Sequence, residues 1–247
     1  MSKKTVRFAE PTVMVASYSQ PNPELRDILG EVNVPALQVV PEFAGRACYQ
    51  SWDKPNPATA TNAGYLANII KQKHFSVIEH SSIGFYIQGV SRSLTHELVR
   101  HRHFSYSQLS QRYVDSSDVG FVLPPDFEGD DEAIEVFRAD CEDRLEMYQW
   151  FQDHQAKKGL GKKATRQSAR SVLPNATETK LVMTGNLRAW MEFMVKRDNP
   201  AADVEIQRLA RMIGLHLGTL APSVFGSEAR PLWDEFLREA AQHEARQ

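Results

Sequence analysis

The chain has 247 residues, with 29 Lys and Arg against 31 Asp and Glu, and only two cysteines. This length is enough for one domain with a sizeable core, and the net charge of −2 excludes a global basic field that would attract nucleic acid or an anionic membrane. Two cysteines exclude a disulfide framework, and because no apolar signal core or membrane-length apolar stretch occurs, we expect a cytoplasmic protein.

The first part of the chain predicts strands and helices in alternation. A weak period-two pattern in TVMVASY predicts a strand over residues 12–18, whereas the Pro-, Asn- and Asp-rich residues 18–35 predict a loop. Helical spacing of apolar residues predicts a helix over Asn62–Lys73, and the alternation in SSIGFYIQGV predicts a strand over residues 81–90. Little function can be assigned to the first 35 residues.

The segment SRSLTHELVRHR predicts a helix with a serine N-cap that ends near Arg102. On such a helix Glu97, Arg100 and His101 would share one face. The segment RHRHFSYSQLSQRY, residues 100–113, would then be a helix end that continues into a loop.

The second half of the chain predicts helices around one further strand. The predicted elements are a long amphipathic helix over Asp130–Lys158, a basic helix that ends before Pro174, a strand in TETKLVMT, a helix LRAWMEFMVKR with Asn186 as N-cap, a core helix from about Ala201 to Leu220 and a helical tail from Ser227. Since no repeat or linker interrupts the chain, we expect one mixed domain of helices and sheet over residues 1–247.

The segment RHRHFSYSQLSQRY carries the clearest chemistry, and two interpretations of it can be set aside. Five histidines within 30 residues suggest a metal site, but a guanidinium beside a divalent cation is repelled, and the chain has no HExxH or facing CxxC. Serines beside histidines suggest a hydrolase, but there is no G-x-S-x-G turn. We therefore expect no metal and no serine nucleophile, and neither Cys48 nor Cys141 has the surroundings of an activated thiol.

Anion recognition remains, because guanidinium groups and hydroxyls bind phosphate and carboxylate well. The candidates are Arg100, Arg102, Ser110 and Arg112, with a second cluster formed by Arg166 and Arg170. The alternative is a nucleic-acid-binding module in which the aromatic residues of the same patch stack on bases. The chain has neither G-x-G-x-x-G nor a P-loop, so a dinucleotide would be bound without these motifs.

The pattern R-H-R-x-x-S-x-x-x-x-S-x-R, filled by Arg100, His101, Arg102, Ser105, Ser110 and Arg112, resembles the signature of the flavin-dependent thymidylate synthases. The resemblance extends over roughly residues 42–215, through EFAGRACYQSW, HFSVIEHSSIGFYI, ARSVLPNATET, TGNLRAW and ADVEIQRLA.

This resemblance implies methylation of dUMP to dTMP in dTMP biosynthesis. Methylenetetrahydrofolate would give the carbon, NADPH the electrons, and FAD would carry the hydride. It also implies an α+β fold with mixed helices around a mainly antiparallel sheet, and a homotetramer whose active sites are shared between subunits. No nucleic acid, membrane or metal is implied.

The resemblance also assigns site residues. The dUMP ligands would be Glu97, Arg100, Gln108, Leu109, Ser110, Gln111, Arg112, Arg170 and Arg197. The FAD ligands would be Ser76, His80, Arg100, His101, Arg102, Gln108, Asn186, Leu187, Arg188 and Glu192. Arg197 is the predicted catalytic residue, because a fixed positive charge at the uracil edge would stabilise negative charge on N3 and the carbonyls.

Glu192 departs from the family pattern, which has Asn or His at this position. An ionised carboxylate cannot donate a hydrogen bond to a flavin or adenine acceptor. Arg188 precedes Glu192 by four residues, which is the spacing of a helical ion pair. Our hypothesis is that the two side chains pair and that the flavin contact is weakened or shifted.

Overall fold

The computed structural model describes residues 5–30, 32–54 and 56–244. It combines helices with a four-stranded sheet, which confirms the predicted α+β class. The strands are β1 Thr12–Tyr18, β2 Ser82–Ser91, β3 Phe104–Gln108 and β4 Glu178–Asn186, and their order in the sheet is β1-β2-β4-β3.

Hydrogen bonds at the ends of β2 and β4 show that these strands run antiparallel. The residue after β4, Leu187, donates its N–H to the carbonyl of Ser81 before β2, at 2.9 Å. At the opposite end, the N–H of Arg92 donates to the carbonyl of Thr177, at 3.1 Å. The start of one strand therefore pairs with the end of the other, as in an antiparallel ladder.

Helices lie between and after the strands along the chain. They are α1 Pro23–Leu29, α2 Ala36–Tyr49, α3 Asn62–Lys71, α4 Arg92–Leu98, α5 Asp131–Lys157, α6 Lys162–Ala169, α7 Leu187–Arg197, α8 Val204–Leu220, α9 Pro222–Phe225 and α10 Pro231–Glu244. Short 3-10 helices occur at Pro57–Thr59, Phe75–His80, Pro125–Phe127 and Arg170–Val172. None of the helices in the described ranges is long and apolar enough to cross a membrane.

The chain divides into two compact units. The first unit contains the residues up to Thr12 and the ranges Tyr86–His101 and Tyr106–Val182. One apolar cluster in it contains Val6, Phe121, Cys141 and Leu145, the last two of which belong to the apolar stripe of α5. The long amphipathic helix predicted over these residues is confirmed, and it serves as scaffold.

Among the residues that the structure describes, the second unit contains Val13–Phe85, Arg102–Ser105 and residues 183–244. Its core is organised around Trp190 of α7, which is fully buried. The indole meets Phe85 and Phe104 edge to face, with ring centroids 5.1 and 4.6 Å apart, and its Nε1–H donates to a buried carbonyl. Such aromatic packing fixes the orientation of α7 within this unit. The prediction of a single domain over residues 1–247 stays a prediction.

The loop predicted over residues 18–35 is wrong, because α1 lies within it. Asn22 is the N-cap and accepts from the N–H of Glu24 at 3.2 Å, Pro23 is the first helical residue, and Gly30 ends the helix with φ +69°. The residues that suggested a loop are therefore those that begin and end a short helix.

Two further predictions are wrong near residue 100. The helix α4 has Ser91 as its N-cap but ends at Leu98, so Arg100 and His101 follow the helix and do not share a helical face with Glu97. The segment after it was predicted to be a loop, yet it contains β3. The hydroxyl of Tyr106 donates to the carbonyls of Leu98 and His101, at 2.6 and 3.0 Å, which stabilises the turn between helix and strand.

The predicted cap of α7 is confirmed, because Asn186 Oδ1 accepts from the N–H of Ala189 at 2.8 Å. The core helix predicted from about Ala201 is confirmed as α8, and the helical tail as α10. Helix α2 was not predicted from the sequence.

Candidate functional site

In the first unit, Gln108 connects three elements at the end of β3. Its Nε2 donates to Thr95 Oγ1 of α4 at 3.1 Å and to Thr179 Oγ1 of β4 at 3.2 Å. The next residue, Leu109, donates its N–H to the carbonyl of Lys180 at 2.8 Å. The start of the predicted dUMP-binding segment is therefore held by both backbone and side-chain hydrogen bonds.

The same segment continues in a tight turn at Ser110. The carbonyl of Ser110 accepts from the N–H groups of Tyr113 and Val114, at 3.2 and 3.0 Å, and its Oγ lies 3.4 Å from the N–H of Arg112. Gln111 within the turn is buried. The turn brings the hydroxyl of Ser110 close to the backbone N–H of Arg112.

Arg92, the first residue of α4, is a candidate site residue that was not predicted from the sequence. Its Nη1 is buried and has no hydrogen-bond partner. Burial lowers the pKa of Arg92 below its ordinary value, and the nearby positive charge of Arg170 lowers it further. The guanidinium groups of Arg92 and Arg170 are neighbours, and one buried N–H donor of Arg92 has no partner. This arrangement is suited to binding an oxyanion. The sequence signal for this site was a single arginine between the apolar residues of β2 and those of α4.

Arg112 also has a buried nitrogen, Nε, without a partner. It lines a cavity of about 480 Å³ together with Gly161, Lys162, Lys163, Ala164 and Gln167. Gly161 is the N-cap of α6 and has no side chain to bind the first N–H groups of the helix. The cavity combines three cationic side chains with an open helix N-terminus, which favours an anionic group.

Arg166 was predicted to hold phosphate with Arg170, but its terminal nitrogens are already engaged. Its Nη1 donates to the carbonyl of Tyr113 at 2.7 Å, and its Nη2 pairs with Asp115 Oδ2 at 3.2 Å. Burial raises the pKa of Asp115, but hydrogen bonds from Ser117, Gln152 and Arg166 outweigh it, so that the pKa is about 2. Arg166 therefore fixes the segment after Arg112, and α6 ends before Arg170.

In the second unit, the 3-10 helix Phe75–His80 carries Ser76 and His80 and lies beside the start of α7. Glu79 Oε1 accepts from Arg188 Nη1 at 2.6 Å. Ser76, Glu79 and His80 are exposed, and Asn186 and Arg188 are half-buried. The structure therefore brings four of the predicted FAD ligands, Ser76, His80, Asn186 and Arg188, to one region at the N-terminal end of α7.

Arg188 has a second carboxylate partner on its own helix. Its Nε lies 3.4 Å from Glu192 Oε1, so the predicted pairing of these residues is confirmed. A cavity of about 320 Å³ adjoins them. Its lining includes the cations Lys73, Arg188 and Lys196 and the rings of Phe75 and Phe236. Cations beside aromatic and aliphatic walls fit part of a dinucleotide, which has phosphates and planar rings.

Three arginines of the predicted site occupy different settings. Arg100 and Arg102 are exposed on either side of half-buried His101, in the turn between α4 and β3. Arg197 is the last residue of α7 and is half-buried. Among the predicted dUMP ligands, Arg197 belongs to the second unit and the others lie in the first. The predicted FAD ligand Arg102 also belongs to the second unit.

The histidine and cysteine residues give no further site within residues 5–30, 32–54 and 56–244. No group of three or more His, Cys, Asp or Glu side chains in these ranges could hold a metal ion. Cys48 is exposed, and Cys141 is buried in the apolar cluster of the first unit. Burial raises the pKa of Cys141 to about 12.

Comparison with known proteins matches residues 33–223 to the family model described as thymidylate synthase complementing protein. A flavin-dependent thymidylate synthase of Mycolicibacterium vanbaalenii is 56% identical over 191 residues, which cover 74% of this chain and 76% of the relative. The enzyme of the same name from Mycobacterium tuberculosis H37Rv has the same identity and coverage.

A third relative of that name, from Mycobacterium sp. strain JLS, is 50% identical over 220 residues, covering 84% of this chain and 87% of the relative. These matches give the nucleic-acid-binding alternative no support. With most of its length matched by the family model and by close relatives, the chain belongs to the thymidylate synthase complementing protein family.

Proposed function

We propose that the protein converts dUMP to dTMP by reductive methylation. The methylene carbon of methylenetetrahydrofolate becomes the methyl group on C5 of the uracil, and NADPH provides the two electrons, so that the products are dTMP, tetrahydrofolate and NADP⁺. The relatives, which are named flavin-dependent thymidylate synthases, support this activity. FAD supplies hydride transfer when it is bound.

The pair formed by Arg92 and Arg170 carries the substrate assignment. A buried guanidinium nitrogen without a partner, close to a second guanidinium, is costly unless an anion occupies the site. The phosphate of dUMP is the anion that we assign to these two guanidinium groups. We add Arg92 to the proposed dUMP ligands, which are Glu97, Arg100, Gln108, Leu109, Ser110, Gln111, Arg112, Arg170 and Arg197.

The proposed FAD ligands are the residues around the start of α7, those of the RHR segment, which is residues 100–102, and Gln108. They are Ser76, His80, Arg100, His101, Arg102, Gln108, Asn186, Leu187, Arg188 and Glu192. The cavity beside Arg188, with its cationic and aromatic lining, supports a dinucleotide in this region. Because Arg188 contacts both Glu79 and Glu192, its charge is partly neutralised before any phosphate arrives.

Arg197 is the proposed catalytic residue. Its permanent positive charge at the uracil edge would stabilise the negative charge that spreads over N3 and the carbonyls, which makes C5 a stronger carbon nucleophile. Its position at the C-terminal end of α7 suits a cation, because the partial negative charge of the helix end stabilises it there.

The protein is proposed to act as a cytoplasmic homotetramer whose subunits share active sites. Light scattering of the purified holoprotein tests the assembly, since a tetramer has four times the mass of the chain. A monomer that is fully active would contradict shared active sites.

The decisive experiment for the activity follows flavin and product together. The purified protein is expected to be yellow, to be bleached by NADPH faster when dUMP is present, and to form dTMP when methylenetetrahydrofolate is added. A colourless protein that does not take up FAD would refute the proposal. Oligonucleotide binding that falls steeply with salt would instead favour the nucleic-acid alternative.

A further inference from the structure

The C-terminal helix α10 holds the end of α7 through one arginine. Arg238 Nη1 donates to the carbonyl of Val195 at 3.1 Å, and its Nη2 donates to the carbonyl of Asp198 at 3.0 Å. The last carbonyls of a helix have no partner within that helix. A single planar guanidinium therefore binds backbone on both sides of Arg197, the proposed catalytic residue.

Arg238 is itself held by the preceding turn of α10. Its Nε donates to Asp234 Oδ2 at 2.7 Å, and its Nη2 lies 3.3 Å from Asp234 Oδ1. This two-point contact orients the guanidinium plane toward α7. Arg238 and Asp234 are both about three-quarters buried, with side-chain exposures of 25% and 22%. The orientation is therefore less disturbed by water than that of an exposed ion pair.

Asp198 completes the arrangement from the side of α7. Its Oδ2 accepts from Arg230 Nη2 at 2.6 Å, and its Oδ1 accepts from Arg211 Nε at 3.3 Å. Arg230 also lies 3.5 Å from Asp234. Asp198, Arg230, Asp234 and Arg238 thus form a closed ring of contacts between the residue after Arg197 and α10.

The hydrogen bonds from this ring to α7 converge on its C-terminal end. Arg238 binds the carbonyls of Val195 and Asp198, which lie before and after Arg197 in the chain. Arg230 binds the side chain of Asp198. The tail therefore holds the turn of α7 that carries Arg197.

We propose that Arg238 is a positioning residue that fixes the backbone of Arg197, so that the guanidinium of Arg197 is directed to the uracil. The inference rests on the proposed role of Arg197. Displacing a catalytic group by about 1 Å can cost on the order of a hundredfold in rate. Loosening the end of α7 should therefore lower turnover while leaving ligand binding nearly intact.

The test compares Arg238→Gln with Arg211→Gln in the FAD-loaded protein. Both substitutions remove an arginine near Asp198, but only the first removes the contacts to the carbonyls of Val195 and Asp198. Arg238→Gln is expected to lower kcat between about tenfold and a hundredfold, with FAD affinity and the KM for dUMP changed by less than about threefold. Arg211→Gln, whose side chain is 63% exposed, should change kcat by less than about twofold.

Hydrogen exchange supplies a measurement that does not depend on activity. Peptides covering residues 194–200 should exchange faster in Arg238→Gln and remain unchanged in Arg211→Gln. A double-mutant cycle then tests whether Arg238 acts through Arg197, because Arg238→Gln should cost little more in an Arg197→Ala background. Equal kcat values for the two single variants, or full additivity in the cycle, would overturn the proposal.

A third variant covers the case in which Arg238→Gln does not fold. Arg238→Lys keeps the charge beside Asp234, but one ammonium cannot reproduce the planar contact with two carbonyls. Its kcat should be clearly reduced, and a wild-type kcat would refute the inference. If Arg197→Ala itself turns over normally, the proposed catalytic role fails. If only Arg238→Gln is normal, the positioning role alone fails.

Discussion

Arg188 Nε lies 3.4 Å from Glu192 Oε1, one turn further along α7, while the same guanidinium also binds Glu79. The arginine proposed to contact FAD is therefore shared between two carboxylates, and the ionised side chain at position 192 can accept a hydrogen bond but cannot donate one. This arrangement should make FAD binding weaker than it would be with an uncharged residue at position 192.

Glu192→Asn should therefore tighten FAD binding, by about tenfold, because it removes one competing carboxylate and adds an amide donor. Titration of the apoprotein followed by flavin fluorescence measures the change. Asp140→Asn provides the control, since Asp140 forms a helical pair of the same spacing with Arg144 on α5. An unchanged FAD affinity in Glu192→Asn would show the hypothesis to be wrong.

Arg197→Ala should separate binding from chemistry. We expect dUMP affinity to stay within roughly tenfold, because the phosphate contacts remain, whereas turnover should fall about a hundredfold or more. Steady-state kinetics and equilibrium titration measure the two effects. Arg144→Ala removes an exposed cation of α5, outside the proposed site, and is the control. Near-normal turnover in Arg197→Ala would refute the catalytic assignment.

Arg92→Gln should reduce the stabilisation that dUMP gives to the protein. A ligand present at one hundred times its Kd stabilises the folded state by about 2.7 kcal/mol. With the buried donor of Arg92 removed, the same dUMP concentration should raise Tm much less. Thermal unfolding with and without dUMP gives the comparison, with Arg144→Gln on α5 as control. Equal dUMP-induced shifts in the variant and the wild type would exclude Arg92 from the phosphate site.

Asp115 should make stability depend on pH in the acid range. Its folded pKa of about 2 is below the ordinary 3.8, so its contribution is present above pH 3.8 and is lost as pH falls toward 2. Because the side chain is 44% exposed, the contribution should be below about 1 kcal/mol. Urea unfolding of wild type and Asp115→Asn should give a stability difference that shrinks over this pH interval. A difference that grows on acidification would contradict the assignment.

The two cysteines should differ sharply in reactivity. At pH 8 a thiol of pKa about 12 is ionised to roughly one part in ten thousand, and Cys141 is also buried. Iodoacetamide should therefore modify Cys48 alone in the native protein and both residues after denaturation. Mass spectrometry of the digested protein identifies the modified residue. Rapid native labelling of Cys141 would show that the first unit opens readily.

The sequence predicted the long, strongly periodic elements and those with clear caps. The helix α5 has several turns of apolar stripe, and α7 has an asparagine cap whose hydrogen bond is observed. The short elements were missed. The proline and asparagine of α1 suit loops as well as helix starts. The strand β3, FSYSQ, alternates only two aromatic residues with serines and contains no aliphatic residue, which is too short a pattern to identify a strand.

For the site, the sequence located the arginine-rich segments but not their partners. Glu79 and Arg188 are 109 positions apart, and no local pattern connects them. In the sequence nothing distinguishes Arg166 from Arg170 as a phosphate ligand. The fold shows that the guanidinium of Arg166 is paired with Asp115. Arg92 was overlooked because an arginine at the start of a helix is ordinarily solvated, and its burial depends on tertiary packing.

The hydroxyl of Tyr106 binds the carbonyls of both Leu98 and His101. These contacts fix the number of residues between His101 and Tyr106, because one residue added or removed there would break both bonds and turn the side chains of β3 to the opposite face. Substitutions in the RHR segment are compatible with this constraint, but changes of length are not. An insertion scan of the gene should therefore recover no functional clones between codons 101 and 106, even though Arg102 and His103 are exposed.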